Sequence, residues 1–202
     1  MKVLIPVFLV VGAAFAPLAH AQRSTHAAMH VMNSQHNGMA MPAMKMGMSG
    51  MAALKGQSGK AFNIAFMSQM IAHHQSAIDM ARQALKAAKH AETKKEARAV
   101  ITDQTKEIKQ MTTWLQKWYG VKPSQDQADL MNADMKTMME MKIEHDRMFF
   151  EMMVPHHQAA IEMSEMALKQ SDRAEVKLLA QNIIKAQKAE ITRYKSLLHH
   201  VK

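Results

Sequence analysis

One motif occurs twice in this chain. Phe66-x-x-x-Met70-x-x-His73-His74-Gln75-x-Ala77-Ile78-Asp79-Met80 returns 83 residues later as Phe149-x-x-x-Met153-x-x-His156-His157-Gln158-x-Ala160-Ile161-Glu162-Met163. The register holds without a gap through Gln104/Gln187, Glu107/Glu190, Ile108/Ile191 and Leu115/Leu198, with about twenty identities across residues 62–119 and 145–202. Two copies of one unit must fold into two equivalent substructures that bury their apolar faces on each other.

The period inside each unit is helical. Met67, Ile71, His74, Ile78, Ala81 and Leu85 follow alternating steps of four and three, and so do Ala97, Ile101, Gln104, Ile108, Met111, Leu115 and Trp118. The run 120–123, Gly-Val-Lys-Pro, stops the second helix, and Ser124 with Gln127 three residues on predicts a capped start for a third. That third helix is expected to run through Met131, Met135, Met138, Met141 and Met148 into the second His pair, with a kink at Pro155. Asp172 with Glu175 predicts the cap of a final helix carrying Val176, Leu179, Ile183, Gln187, Ile191, Tyr194 and Leu198. The expectation is an all-α, ferritin-like up-down four-helix bundle over residues 61–202, made of two tandem helical hairpins.

The N-terminus reads differently. A basic start, an apolar run over residues 3–16 and Ala19-His20-Ala21 predict a secretory signal peptide over residues 1–21, and hence a periplasmic or secreted product. No later stretch has the ~20 apolar residues of a membrane span. Cysteine is absent, which excludes disulfides, thiolate metal sites and thiol nucleophiles. The formal net charge is +9, but the basic residues are scattered along helix faces and aromatics are few, so nothing points to nucleic acid.

Methionine is the compositional anomaly, with 23 residues. Residues 22–60 are expected to form a flexible arm, because Gly38, Pro42, Gly47 and Gly50 interrupt any regular period there. Core packing then does not explain Met29, Met32, Met39, Met41, Met44, Met46, Met48 and Met51, interspersed with His26, His30 and His36. Neutral, soft thioethers with imidazoles on one chain suit Cu(I) and Ag(I), and the histidines also serve Cu(II).

Within the helices, consecutive histidines project about 100° apart and cannot face one direction. His74 and His157 continue the apolar stripes, and folding of the two copies could bring them together near a pseudo-twofold axis. His73 and His156 lie on neighbouring stripes, bracketed by Met70 and Met80 and by Met153 and Met163, nitrogen and sulfur donors along one line. A histidine on an apolar stripe is more often a hydrogen-bonded core residue than a ligand, and methionine stripes usually pack. Duplication of the whole constellation favours metal. Gln104, Gln187, Glu107 and Glu190 could orient the imidazoles through their second nitrogens, with or without metal.

The paired His-His with both flanking methionines, followed by Gln-x-x-Glu-Ile, resembles the bacterial family named domain of unknown function 305, which has periplasmic copper-binding members. The resemblance covers residues 60–202 in two copies. It implies a ferritin-like bundle that binds copper, and silver in some members, for metal tolerance, with Met70, His73, His74 and Met80, and Met153, His156, His157 and Met163, at the motif positions. Ala72 departs from the family's proline, which is present at Pro155.

Catalytic readings lack their parts. Di-iron bundles need Glu-x-x-His pairs, and none occurs; there is no phosphate-binding glycine loop and no pair of inward acids. The expected function is therefore sequestration or transfer of copper, as Cu(I) and Cu(II) with silver as a further candidate, without turnover and with another copper-handling protein as a potential recipient. The alternatives are a metal-free helical interaction module and, behind it, a ferritin-like metalloenzyme.

Overall fold

A computed structural model describes residues 48–201. The predicted signal peptide, and the arm positions His26, Met29, His30, Met32, His36, Met39, Met41, Met44 and Met46, lie outside them. The described residues form α1 (Met48–Leu54), α2 (Gly59–Ala87), α3 (Ala91–Trp114), α4 (Gln125–Glu140), α5 (Asp146–Gln170) and α6 (Ala174–Leu197). A π-helical turn, Leu115–Tyr119, prolongs α3 and ends at Gly120, whose φ of 68° is left-handed. The four long helices α2, α3, α5 and α6 form the bundle, and no described residue is in a strand. No helix among the described residues is long and apolar enough to cross a membrane.

The two repeats are the hairpins α2/α3 and α5/α6, and they meet through α2 and α5. Asn63 near the start of α2 bonds to Ser171 and Asp172 just past the end of α5. At the other end, Asp146 opens α5 and accepts the N–H groups of Lys89 and His90 after α2, so the two helices are antiparallel. Arg193 of α6 reaches Glu96 of α3 at 2.7 Å, which joins the remaining sides of the bundle. α2 is buried on most of its circumference, including every residue of 65–70, because α3, α4 and α5 all cover it. Apolar periodicity alone predicts one buried face, and here three helices bury nearly all of them.

Three local expectations change. The long third helix is two helices. Met135 of α4 meets Ser76, and Ile143 beyond α4 bonds Gln83, so α4 runs parallel to α2 whereas α5 runs antiparallel to it. One continuous helix cannot do both, and the chain reverses between Glu140 and Asp146, where His145 caps α5 by accepting from Met148 N–H at 3.3 Å. Pro155 lies inside α5 without ending it.

The second change concerns the last helix. Ser124 caps α4 as expected, accepting from Gln127 N–H at 3.4 Å. Asp172 does not cap α6; the cap position is Arg173, and the Asp172 carboxylate instead accepts from Asn63, a tertiary bond that draws it away from the helix start.

The third change is at the end of the arm. Met48 and Met51 are in α1, so irregular chain does not extend to residue 60. Gly50 does not break this helix; it is a point of close approach. A Cβ there would lie 2.9 Å from Gln69 Oε1 and 3.0 Å from Met131 Cε. Asp134 of α4 accepts the N–H groups of Ser49 and Gly50 at 3.2 and 2.8 Å, and Gln69 donates to the Gly50 carbonyl at 3.0 Å. Those partners satisfy a helix start too short to be stable by itself. Met51 is half-buried against the core rather than free.

Candidate metal centre

His73, His74, His156 and His157 are all fully buried at the middle of the bundle. The 100° between neighbours on a helix sends the two histidines of each pair to different partners. His73 of α2 faces His156 of α5, with ring centroids 3.7 Å apart and planes 34° from parallel. His74 turns to its own hairpin partner, where its Nε2 lies 2.6 Å from Glu107 Oε2. His157 does the same, its Nε2 2.9 Å from Glu190 Oε2, although off the line of a good hydrogen bond.

The expectation that His74 and His157 would meet at the repeat interface is therefore wrong. Their stripe closes each hairpin, and the adjacent stripe, with His73 and His156, joins the two repeats. The role suggested for Glu107 and Glu190 is the one their geometry fits. Gln104 and Gln187 are buried, but their Oε1 atoms have no partner and do not reach the rings.

Accounting for protons identifies the free donors. A carboxylate only accepts, so Nε2 of His74 carries a hydrogen toward Glu107. Ser76 Oγ lies 2.7 Å from both the His73 carbonyl and His156 Nε2, so Nδ1 is the His156 nitrogen left without a partner. His73 has no partner at either nitrogen, and Nδ1 of His74, His156 and His157 is likewise unpartnered. Ala159 occupies the position in the second repeat that Ser76 holds in the first, and this lost hydroxyl accounts for the asymmetry between His73 and His156.

Burial is the main cause holding His73 and His156 well below the usual histidine range, with their histidine neighbours adding to it. Both rings are consequently neutral, the form that can bind a metal.

The methionines arrange themselves across repeats. Met70 and Met163 share one buried cluster, and Met80 and Met153 share the other. Met70 and Met80 thus pack in different clusters; each is grouped with a methionine of the opposite repeat, one group on each side of the His73/His156 contact along α2 and α5.

Sequence reasoning missed Ser76 and Met135. Met135 Sδ lies 3.1 Å from Ser76 Oγ, the same hydroxyl that contacts His156 Nε2. Met135 lies outside the repeats, so the duplicated pattern could not reveal it; Ser76 differs from Ala159, the one signal available. Among the described residues no group of three or more His, Asp or Glu side chains is arranged to hold a metal ion. The donor set is instead imidazole nitrogens lacking partners among buried thioethers, chemistry that suits a soft ion of low coordination number.

The family model described as domain of unknown function (DUF305) matches residues 16–112 and 63–198. No curated protein matches the chain. Among solved structures, CopM in its Cu(II)-bound form is 34% identical, over 71% of this chain and 98% of that one, with a TM-score of 0.59. CopM in its Cu(I)-bound form is 36% identical over 68% and 96% of the two chains, with a TM-score of 0.58. CopM soaked with silver is 37% identical over 68% and 95%, with a TM-score of 0.59. With a family match across more than half its length, and the repeated His-His helix at the centre of both halves, the chain belongs to the DUF305 family.

Proposed function

We propose that this protein is an exported copper carrier that sequesters Cu(I) and Cu(II), or passes them to another copper-handling protein, in metal tolerance or homeostasis, with silver as a second cargo and no catalytic turnover. The observation that carries this reading is the His73/His156 contact. Several imidazole nitrogens there lack any partner while fully buried, between two groups of methionines that could supply thioether sulfur. A buried polar atom without a partner costs roughly 1–3 kcal/mol, a cost without return in a metal-free interaction module. Similarity to CopM, solved with Cu(II), Cu(I) and silver bound, supports the same cargo.

His73 and His156 would hold a soft ion together with thioethers from one of the two methionine groups, Met70 and Met163 or Met80 and Met153, and Met135 would be a further thioether available near Ser76. Glu107 and Glu190 would fix the rings of His74 and His157 and raise their basicity. The test is an anaerobic Cu(I) titration of the mature chain and of the variant with His73, His74, His156 and His157 all replaced by Ala. Loss of the tightest site with helix content retained is the expected result. Unchanged stoichiometry and affinity in the variant would overturn the assignment.

A further inference from the structure

Two differences between the repeats lie one turn apart on α2 and open on the same space. Ala72 and Ser76 stand where the second repeat has Pro155 and Ala159, and both line a cavity of about 410 Å³ between α2 and α4. Gln75 and Asn132 at its rim are exposed, whereas Ser76 is only 4% exposed, so the cavity leads from solvent down to this side chain. Behind it stands the candidate metal centre. Ser76 Oγ lies 2.7 Å from His156 Nε2 and 3.1 Å from Met135 Sδ. The wall supplied by α4 includes Met139, partly buried and one turn on from Met135 along the same face. One thioether side chain is therefore in the cavity and a second beneath its floor. The second repeat has no counterpart, because α4 belongs to neither repeat.

We propose that this cavity is the mouth of the buried centre, through which Cu(I) or Ag(I) passes from Met139 to Met135 and then, past the Ser76 hydroxyl, to the His73/His156 pair. The inference rests on the reading of that pair as a soft-metal centre and deepens it by assigning the entrance. All four histidines are fully buried, so an ion reaches them only through a gap in the packing or by local opening of the bundle. At Ser76 the gap is one hydroxyl deep. An ion that sheds its water on this path needs a replacement donor at each step. Thioethers supply one to a soft cation and take up no proton, whereas a divalent ion that prefers oxygen or nitrogen gains little from them, so the path selects the monovalent ions. Each step is a ligand exchange in which one donor replaces another and the ion keeps its charge. Because Met139 is passed rather than retained, it governs how fast the centre fills and empties and leaves its equilibrium affinity alone.

The test is release of Cu(I) from the loaded full mature chain to an excess of the Cu(I) chelator bathocuproine disulfonate, followed anaerobically by absorbance, with Kd taken from chelator competition at equilibrium. The release phase that is missing from His73→Leu belongs to the buried centre. Met139→Leu keeps the apolar bulk and removes the sulfur; release and loading should both slow about tenfold at an unchanged Kd. Ala72→Leu narrows the mouth without removing a donor and should slow both rates in the same way, again at an unchanged Kd. Unchanged rates in either variant would overturn the proposal while the buried centre stands, filled by another route. Faster release with a raised Kd in Met139→Leu would also overturn it, since Met139 would then be a ligand of the loaded centre. Absence of any His73-dependent phase in the parent protein would overturn the function proposed for the buried centre, and its mouth with it.

Discussion

Replacing His73 by leucine separates a metal ligand from a structural histidine, because the two roles predict opposite signs for the stability of the metal-free protein. His73 is fully buried, and both its ring nitrogens lack partners. An unsatisfied buried polar atom costs roughly 1–3 kcal/mol, and exchange for an apolar side chain of similar volume costs less than about 1.5 kcal/mol in repacking. With two such atoms removed, His73→Leu should stabilise the metal-free protein by about 1–2 kcal/mol, which raises Tm by roughly 2–8 °C for a domain of this size. His74→Leu is the control. It removes the 2.6 Å bond to Glu107, a carboxylate exposed enough to turn to water, and should give no gain or a loss of about 1 kcal/mol. Denaturant unfolding of chelator-treated proteins measures both. Adding Ag(I) at about a hundred times Kd should stabilise the parent by about 2.7 kcal/mol and His73→Leu by much less. A metal-free His73→Leu protein less stable than the parent by 1 kcal/mol or more would refute the reasoning, since the imidazole would then be making bonds the structure does not show.

The remaining predictions concern pH, the arm and α1. Folding holds His73 and His156 neutral, mainly by burial, whereas the unfolded chain takes up protons at these positions near pH ~6.5. Their contribution to stability is complete above that pH and is lost as pH falls below it, by about 1.4 kcal/mol per unit for each histidine, so metal-free protein should lose about 3 kcal/mol between pH 7.5 and 5.5; a flat profile of unfolding free energy would exclude this. Deleting residues 26–47 should lower Cu(I) and Ag(I) capacity far more than Cu(II) capacity, because thioethers bind the soft ions, and the arm's share should persist at pH 5, where thioethers take up no proton; isothermal titration of both chains at pH 5 and 7.5 decides it. Gly50→Ala should displace Gln69 and Met131 at the α1 contact and cost about 1–2 kcal/mol, seen as faster hydrogen exchange in α1 ahead of the other helices.

The amino-acid sequence alone determined the duplication, the helical class and the Ser124 cap, and narrowed the partners of His74 and His157 to a Gln and a Glu in each repeat, because each of these is local or is copied between repeats. Spacing of four and three reports the angle of a residue about its own helix axis. It does not report which neighbour covers that angle. For this reason the sequence favoured His74 with His157 as the meeting pair, whereas the packing of α2 on α5 brings His73 to His156 and turns the other two toward Glu107 and Glu190. The break between α4 and α5 was hidden because methionine fits both sides of it and the reversal comes from two helices packing on α2 in opposite senses. Gly50 looked like a breaker because the partners that hold α1, Asp134 and Gln69, are distant in the chain. The contacts of Ser76 with Met135 and with His156 depend wholly on tertiary packing: groups from separate helices converge only when the helices pack, and no sequence period records the distance between them.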